Sequence, residues 1–405
     1  MAIDPFPSGR LWEARPPERW ADPPPQLSVS TLTQLESCPR RWSLEHSDYA
    51  DRGLGRGFPE RASVAVLAGR SAHCALELIA RAVDASAGGG ADAVVDALRE
   101  LGGITKVVEN CLRHELARES ANPRAAPRIE GLEVALRERT DQLRLLVQRA
   151  LRLQQLPPDV GHAAPGAEPP ARGPLGYGYH PEVELRPPTL GWTGYADAIR
   201  LTADECEIVD YKTGAQSAAH ELQLRVYALL WARDPVVNPS GRLADSLLLV
   251  YPGGTHRTRA PGTAELDEIA ADLEVRRKRA LVALDRDPPE ALVDADTCRF
   301  CDVKALCSDY WLPAAQRRIA VEPRAEYRSL QGVVERDMGP LAASLAVQAD
   351  PYLAPGTRAV LSHGGRLSGR AGETLRLLDV RVPTEPDPDG LVVTFGSQSE
   401  AFRVP

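Results

Sequence analysis

Two short apolar stretches, GYADAIRL at 194–201 and EIVDYKTG at 207–214, each carry an aspartate where strands seldom hold one. Side chains two apart on a strand leave the same face, so Asp210 and Lys212 point together. If the stretches pair as a hairpin, Asp197 joins them. Two carboxylates able to share a cation, with a lysine beside them, suit hydrolysis of a phosphodiester: the metal polarises the phosphate and acidifies a water, and the lysine orients that water or stabilises developing charge. The competing reading is an edge-strand ion pair between Asp210 and Lys212 with a turn contact at Asp197. It serves either carboxylate alone better than both together.

The surrounding chain reads as α/β. Residues 1–26 are rich in Pro, Arg and Trp without periodicity and form an N-terminal extension. The segment 27–46 reads as one amphipathic helix capped by Ser30 or Thr31, and 62–85 as a second, with Val64, Leu67, Ala68, Leu76, Ile79 and Val83 at helical spacing. A helical pattern continues to about residue 156 and runs into the Pro/Gly/Ala stretch 157–174, so 91–175 reads as a helical insertion with a flexible exit. Strands are expected at 180–187, 189–202 and 206–214, then a helix at 217–233, a strand at 245–252 and a charged helix at 263–286. Beyond Trp311 a helical stretch to about Ala349 precedes short β-like pieces, which suggest a small barrel or sandwich, an OB-like barrel being one option.

Other residues extend the constellation. His73, in GRSAHCALE, shares a helix face with Glu77, and a neutral imidazole is a metal ligand; a lone helical histidine is otherwise a surface or core-edge residue. Gln223 and Tyr227 project from one side of their helix, four residues apart. Of the seven cysteines, Cys74, Cys111 and Cys206 are scattered, whereas Cys298, Cys301 and Cys307 crowd into one loop. Cys38, in the setting CPRRW, is the fourth. Four thiolates suit a [4Fe-4S] cluster or tetrahedral zinc, and spacing alone does not separate the two.

These pieces, in this order, resemble the RecB-type branch of the PD-(D/E)XK nuclease superfamily: GxxxHxxLE on a helix, GxxD on a strand, DYKTG on the next and QxxxY on a following helix, within 27–311. The resemblance implies a central mixed sheet flanked by helices. It further implies that His73, Asp197, Asp210 and the Tyr211 carbonyl bind one or two Mg²⁺ or Mn²⁺ ions, that Lys212 is catalytic, and that Gln223 and Tyr227 support the site and contact DNA. The cysteine layout is similar to the iron–sulfur staple of AddB-type and CRISPR adaptation nucleases, which implies that Cys38, Cys298, Cys301 and Cys307 tie the ends of the domain together. Residues 312–405 are then a helical connector and a small β-rich domain.

A net charge of −8 argues against a generally basic coat for nucleic acid, although Arg40-Arg41 and Arg276-Arg277-Lys278-Arg279 are local clusters suited to a phosphate backbone. The absence of a secretory signal layout and of long apolar runs fits a cytoplasmic protein without membrane contact. The reading is therefore a metal-dependent deoxyribonuclease acting on single-stranded DNA or DNA ends in repair, recombination or anti-phage defence. With no G-x-x-x-x-G-K-[ST] loop, a helicase or defence-system partner is expected to be a separate protein. The alternative is a non-catalytic DNA-binding scaffold subunit of a helicase–nuclease complex.

Overall fold

Proline at position 39 breaks the first expected helix in two, because it fits the first turn of a helix but cannot continue one. After strand β1 (Leu11–Glu13) come α1 (Val29–Ser37) and α2 (Pro39–His46), with Cys38 ending the first and capping the second. Ser28, not Ser30 or Thr31, caps α1, its hydroxyl accepting from the Thr31 N–H at 3.1 Å. Helices α3 (Val64–Ala85), α4 (Gly90–Glu100), α5 (Ile104–Glu119), α6 (Ile129–Arg137) and α7 (Thr140–Leu153) follow. The computed structural model describes residues 11–52, 54–85, 90–153, 172–321, 325–367, 369–384 and 390–405. The first ten residues and most of the expected flexible exit at 157–174 lie outside them.

Strands β2 (Gly178–Leu185), β3 (Gly194–Leu201) and β4 (Cys206–Tyr211), helix α8 (Ala218–Arg233), strands β5 (Ser246–Tyr251) and β6 (Gly254–Arg259), and helix α9 (Thr263–Leu284) complete the α/β core. The sheet order is β2-β3-β4-β5-β6, antiparallel except for β4 and β5, which α8 joins as the crossover a parallel pair requires. One core gathers Ile208, Leu247 and Leu249 with α1, α8 and α9, and a second gathers Val209, Leu248 and Val250 with α3, α5, α6 and α7. The sheet is thus covered on both faces. The helices expected as an insertion are one of these two covers.

After α10 (Ala295–Arg299) and α11 (Pro313–Ile319) the chain turns to strands: β7 (Tyr327–Asp337), β8 (Ala342–Ala349), β9 (Arg358–Ser362), β10 (Thr374–Arg381), β11 (Leu391–Thr394) and β12 (Glu400–Val404). The helix expected up to Ala349 stops at Ile319. Along β8, Ala343, Leu345, Val347 and Ala349 are buried while the residues between them are less so, a period of two that overrides the helical propensity of its alanines. Strands β7, β8, β9, β11 and β10 close into a ring, since β7 pairs with both β8 and β10, and β9 and β11 run parallel, giving a small OB-like barrel. Strand β12 extends the barrel sheet from β10, and β1, nearly the whole chain away, pairs with β12.

The expected iron–sulfur staple needs correction. Cys38, Cys298, Cys301 and Cys307 do line one cavity, but it measures only about 10 Å³, the room a single water needs. Among the described residues the one group of metal-type ligands whose atoms all approach within 4.8 Å is His73, Glu182 and Asp197, so no three sulfurs meet the spacing of a zinc site. Burial pushes the Cys298 thiol up to about 11 and raises those of Cys301 and Cys307, favouring the neutral form. The cysteines behave as small buried apolar groups: Cys298, Cys301 and Cys307 pack with Leu44, Tyr310, Trp311, Leu378 and Phe402 in a third core. This core, with the Arg40–Asp309 ion pair at 3.0 Å and an Arg40 bond to the Pro289 carbonyl at 2.7 Å, joins the two ends of the domain. Among the described residues, packing and not a cysteine-bound metal accounts for this junction.

Candidate metal centre

Carrying the β3–β4 register one step on from Ala198↔Val209 places Asp197 opposite Asp210, so the hairpin brings the two aspartates face to face. Both are buried. The Tyr211 N–H donates to Asp197 Oδ2 at 2.5 Å and fixes that carboxylate. On the neighbouring strand Glu182 falls opposite Asp197, between the pairs Pro181↔Ala198 and Val183↔Ala196. Glu182 has φ of 50°, a left-handed conformation that is strained for a residue with a Cβ and concentrates at functional sites. From α3, His73 Nδ1 lies 3.4 Å from Glu182 Oε1 and 3.7 Å from Asp197 Oδ1.

The lysine is held from the other side. Lys212 Nζ is 2.7 Å from Asp210 Oδ2 and donates to Gln223 Oε1 at 2.9 Å, and Gln223 Nε2 donates to the Tyr227 hydroxyl at 2.6 Å. Asp210 Oδ2 is buried, and the Lys212 ammonium is its one close partner among the described residues. Gly194, the glycine of GxxD, is required by packing: a Cβ there would sit 2.7 Å from the Tyr227 ring. Gly194→Ala is therefore expected to displace Tyr227, loosen the Gln223–Lys212 contact and cost about 1–3 kcal/mol of stability. Urea denaturation compared with wild type checks the size.

Charge crowding makes this a candidate cation site. Burial, and then the charge of Asp210, raises the Asp197 carboxyl, and burial raises Asp210 against the opposing pull of Lys212. Burial alone would lower His73, but Glu182, Asp197 and Asp210 together raise it to about 9. Three carboxylates and an imidazole are donors suited to a hard divalent ion, which would offset the mutual repulsion of the two buried aspartates. A divalent ion held by His73 would need the neutral imidazole and so displace its proton; Mn²⁺ affinity should then climb from neutral pH towards 9 and level. Calorimetric titration checks this; a pH-independent affinity would contradict it, and His73→Ala should flatten the dependence.

A family model described as the PD-(D/E)XK nuclease superfamily matches residues 26–308. The chain belongs to the PD-(D/E)XK nuclease superfamily. No curated protein matches it significantly. A solved structure described as "Crystal structure of SSO0001" shares 17% identity, covering 48% of this chain and 80% of its own, at a TM-score of 0.24. Kinship is with the PD-(D/E)XK superfamily as a whole. The narrower RecB-type and AddB-type assignment, and the likeness to CRISPR adaptation nucleases with their iron–sulfur centre, is corrected along with the staple, since the metal-type cluster contains no cysteine.

Of the residues expected from sequence, the fold brings together His73, Asp197, Asp210, Lys212, Gln223 and Tyr227. The side chain of Tyr211 turns into the second core, its hydroxyl 2.6 Å from that of Tyr179. Glu182 was missed; the alternating HPEVEL strand offered it, without a motif to single it out. The basic clusters are engaged elsewhere: Arg41 pairs with Glu45, Arg276 with Glu36, and Arg277 and Lys278 with Glu274. Among the described residues no helix is long and apolar enough to cross a membrane.

Proposed function

We propose that the protein hydrolyses phosphodiester bonds of DNA with Mg²⁺ or Mn²⁺, acting on single strands or ends. The observation that carries this reading is the convergence of His73, Glu182 and Asp197, with Asp210 opposite Asp197 and beside a lysine anchored by Gln223, in a chain of this superfamily. The cation would be held by these four side chains with the Tyr211 carbonyl, and when bound it supplies the positive charge that polarises a phosphate and favours ionisation of water. The chain's own residues do the rest. Asp197, pinned by the Tyr211 N–H, and Asp210, paired with Lys212, keep their carboxylates in place without reorganisation. Lys212, steadied by Gln223 and through it by Tyr227, presents an ammonium that orients the attacking water or stabilises charge building on the phosphate. Repair, recombination or defence, with a separate helicase delivering strands, is the setting this chemistry suits.

Cleavage of end-labelled single- and double-stranded DNA tests the proposal. Cutting should require Mg²⁺ or Mn²⁺ and vanish with chelator; no cutting by a folded, Mn²⁺-binding wild type would refute it.

A further inference from the structure

Helix α8 carries a third side chain on the stripe that serves the site. His220, Gln223 and Tyr227 follow one another at i, i+3 and i+7, so they share a face, and the latter two already hold Lys212. His220 lies in the first turn, partly exposed, and within electrostatic reach of both Lys212 and Asp210. Its Nδ1 is 3.0 Å from the hydroxyl of Tyr251, with the rings 5.9 Å apart and tilted by 37°. Tyr251 is buried, and it follows Val250, whose carbonyl accepts the Lys212 backbone N–H at 2.9 Å.

This arrangement selects one tautomer. A phenolic O–H is a stronger donor than a neutral imidazole N–H, and an imidazole nitrogen a stronger acceptor than a phenol oxygen, so at 3.0 Å the favoured pairing has Tyr251 donating to His220. The single phenolic proton then goes to His220 Nδ1, which makes Nδ1 the acceptor and leaves the imidazole proton on Nε2. Nε2 has no partner among the described residues. Burial and the nearby Lys212 charge both lower His220 from its ordinary value, favouring the neutral ring.

We propose that His220 contacts the nucleic-acid substrate, donating from Nε2–H to a non-bridging phosphate oxygen beside Lys212, and that Tyr251 is the positioning residue fixing its tautomer. The proposal rests on the nuclease reading and adds a substrate-contacting residue to it. It gives the site a neutral donor next to a charged one, so that the phosphate is oriented without another cation competing for the carboxylates.

Two readouts test it. Long-range ¹H–¹⁵N spectra of labelled protein should show His220 as the Nε2–H tautomer, with Tyr251→Phe yielding a mixture. In parallel, His220→Ala should weaken binding of a short single-stranded DNA in Ca²⁺ and lower kcat/KM by about 10- to 100-fold, the effect of losing one hydrogen bond to a charged group. His220→Gln, whose amide donates from a similar place, should recover most of both, and Mn²⁺ affinity should not change in either variant. An Nδ1–H tautomer, an unaffected His220→Ala enzyme, or a loss that glutamine does not rescue would overturn the proposal while leaving the nuclease reading intact. A wild type that neither binds nor cuts DNA would overturn both.

Discussion

Asp210→Asn is expected to lower metal-dependent cleavage by about a thousandfold, roughly 4 kcal/mol of transition-state stabilisation, and at the same time to raise the thermal midpoint of the metal-free protein. The two effects have one cause. Burial raises the folded-state pKa of Asp210 above 3.8, so folding disfavours its charged form, and at any pH above both values the ionised carboxylate subtracts from stability. A neutral side chain of the same shape removes that cost, together with the repulsion from Asp197. It also removes the charge that makes this corner attractive to a cation and that pairs with Lys212 at 2.7 Å. Cleavage assays beside thermal melts in chelator check both halves; a variant that loses stability and activity together would point to a structural role for Asp210.

Arg124→Ala is expected to cost about 3 kcal/mol of stability, the lower end for breaking a buried ion pair, with little effect on the chemistry of the metal centre. The guanidinium is fully buried and donates through Nε and Nη2 to both oxygens of Glu400 at 2.9 Å, through Nη1 to the Pro59 carbonyl at 2.8 Å and through Nη2 to the Asp302 carbonyl at 2.9 Å. One side chain thus joins the helical cover, the cysteine loop and strand β12. Burial alone would raise Glu400, yet Arg124 and Arg61 hold it below its ordinary value. The sign follows: this contribution is present above the usual glutamate range and disappears as pH falls through the lowered folded-state pKa. Arg61 Nε, 3.4 Å from Glu400, keeps a partial partner in the variant, which is why the lower end applies. Urea denaturation gives the magnitude, and an Arg124→Met, Glu400→Gln double variant should recover part of it, since no buried charge is then left alone.

The legible parts of this molecule are those where chemistry contradicts local pattern. Aspartates in apolar strands flagged β3 and β4, and the register of that hairpin then fixed how Asp197 meets Asp210. Glu182 was illegible because its position depends on a strand pairing and on a left-handed backbone that its flanking residues do not announce. Strand β6 escaped notice because GTHRTR has no apolar face and is held in the sheet by β5 alone. Strands β7 and β8 looked helical because alanine, leucine and glutamine are good helix formers, and only the ring of the barrel makes their period of two decisive. The four cysteines show the reverse error: a suggestive spacing and true proximity in space, filled by side-chain packing in a cavity of about 10 Å³. Arg124 was invisible from sequence, since nothing near it hints at a partner as distant as Glu400.

The pairing of β1 with β12, Leu11 against Ala401, makes one strand wait for a partner that is synthesised far downstream of it. At ribosomal speed that wait is on the order of tens of seconds, far longer than helices or hairpins take to form. The α/β layers have time to assemble before Trp12 takes its place beside Phe402 in the third core. Vectorial folding of this segment therefore leaves β1 to be added late, and until β12 emerges its edge is open to a chaperone or a neighbouring nascent chain.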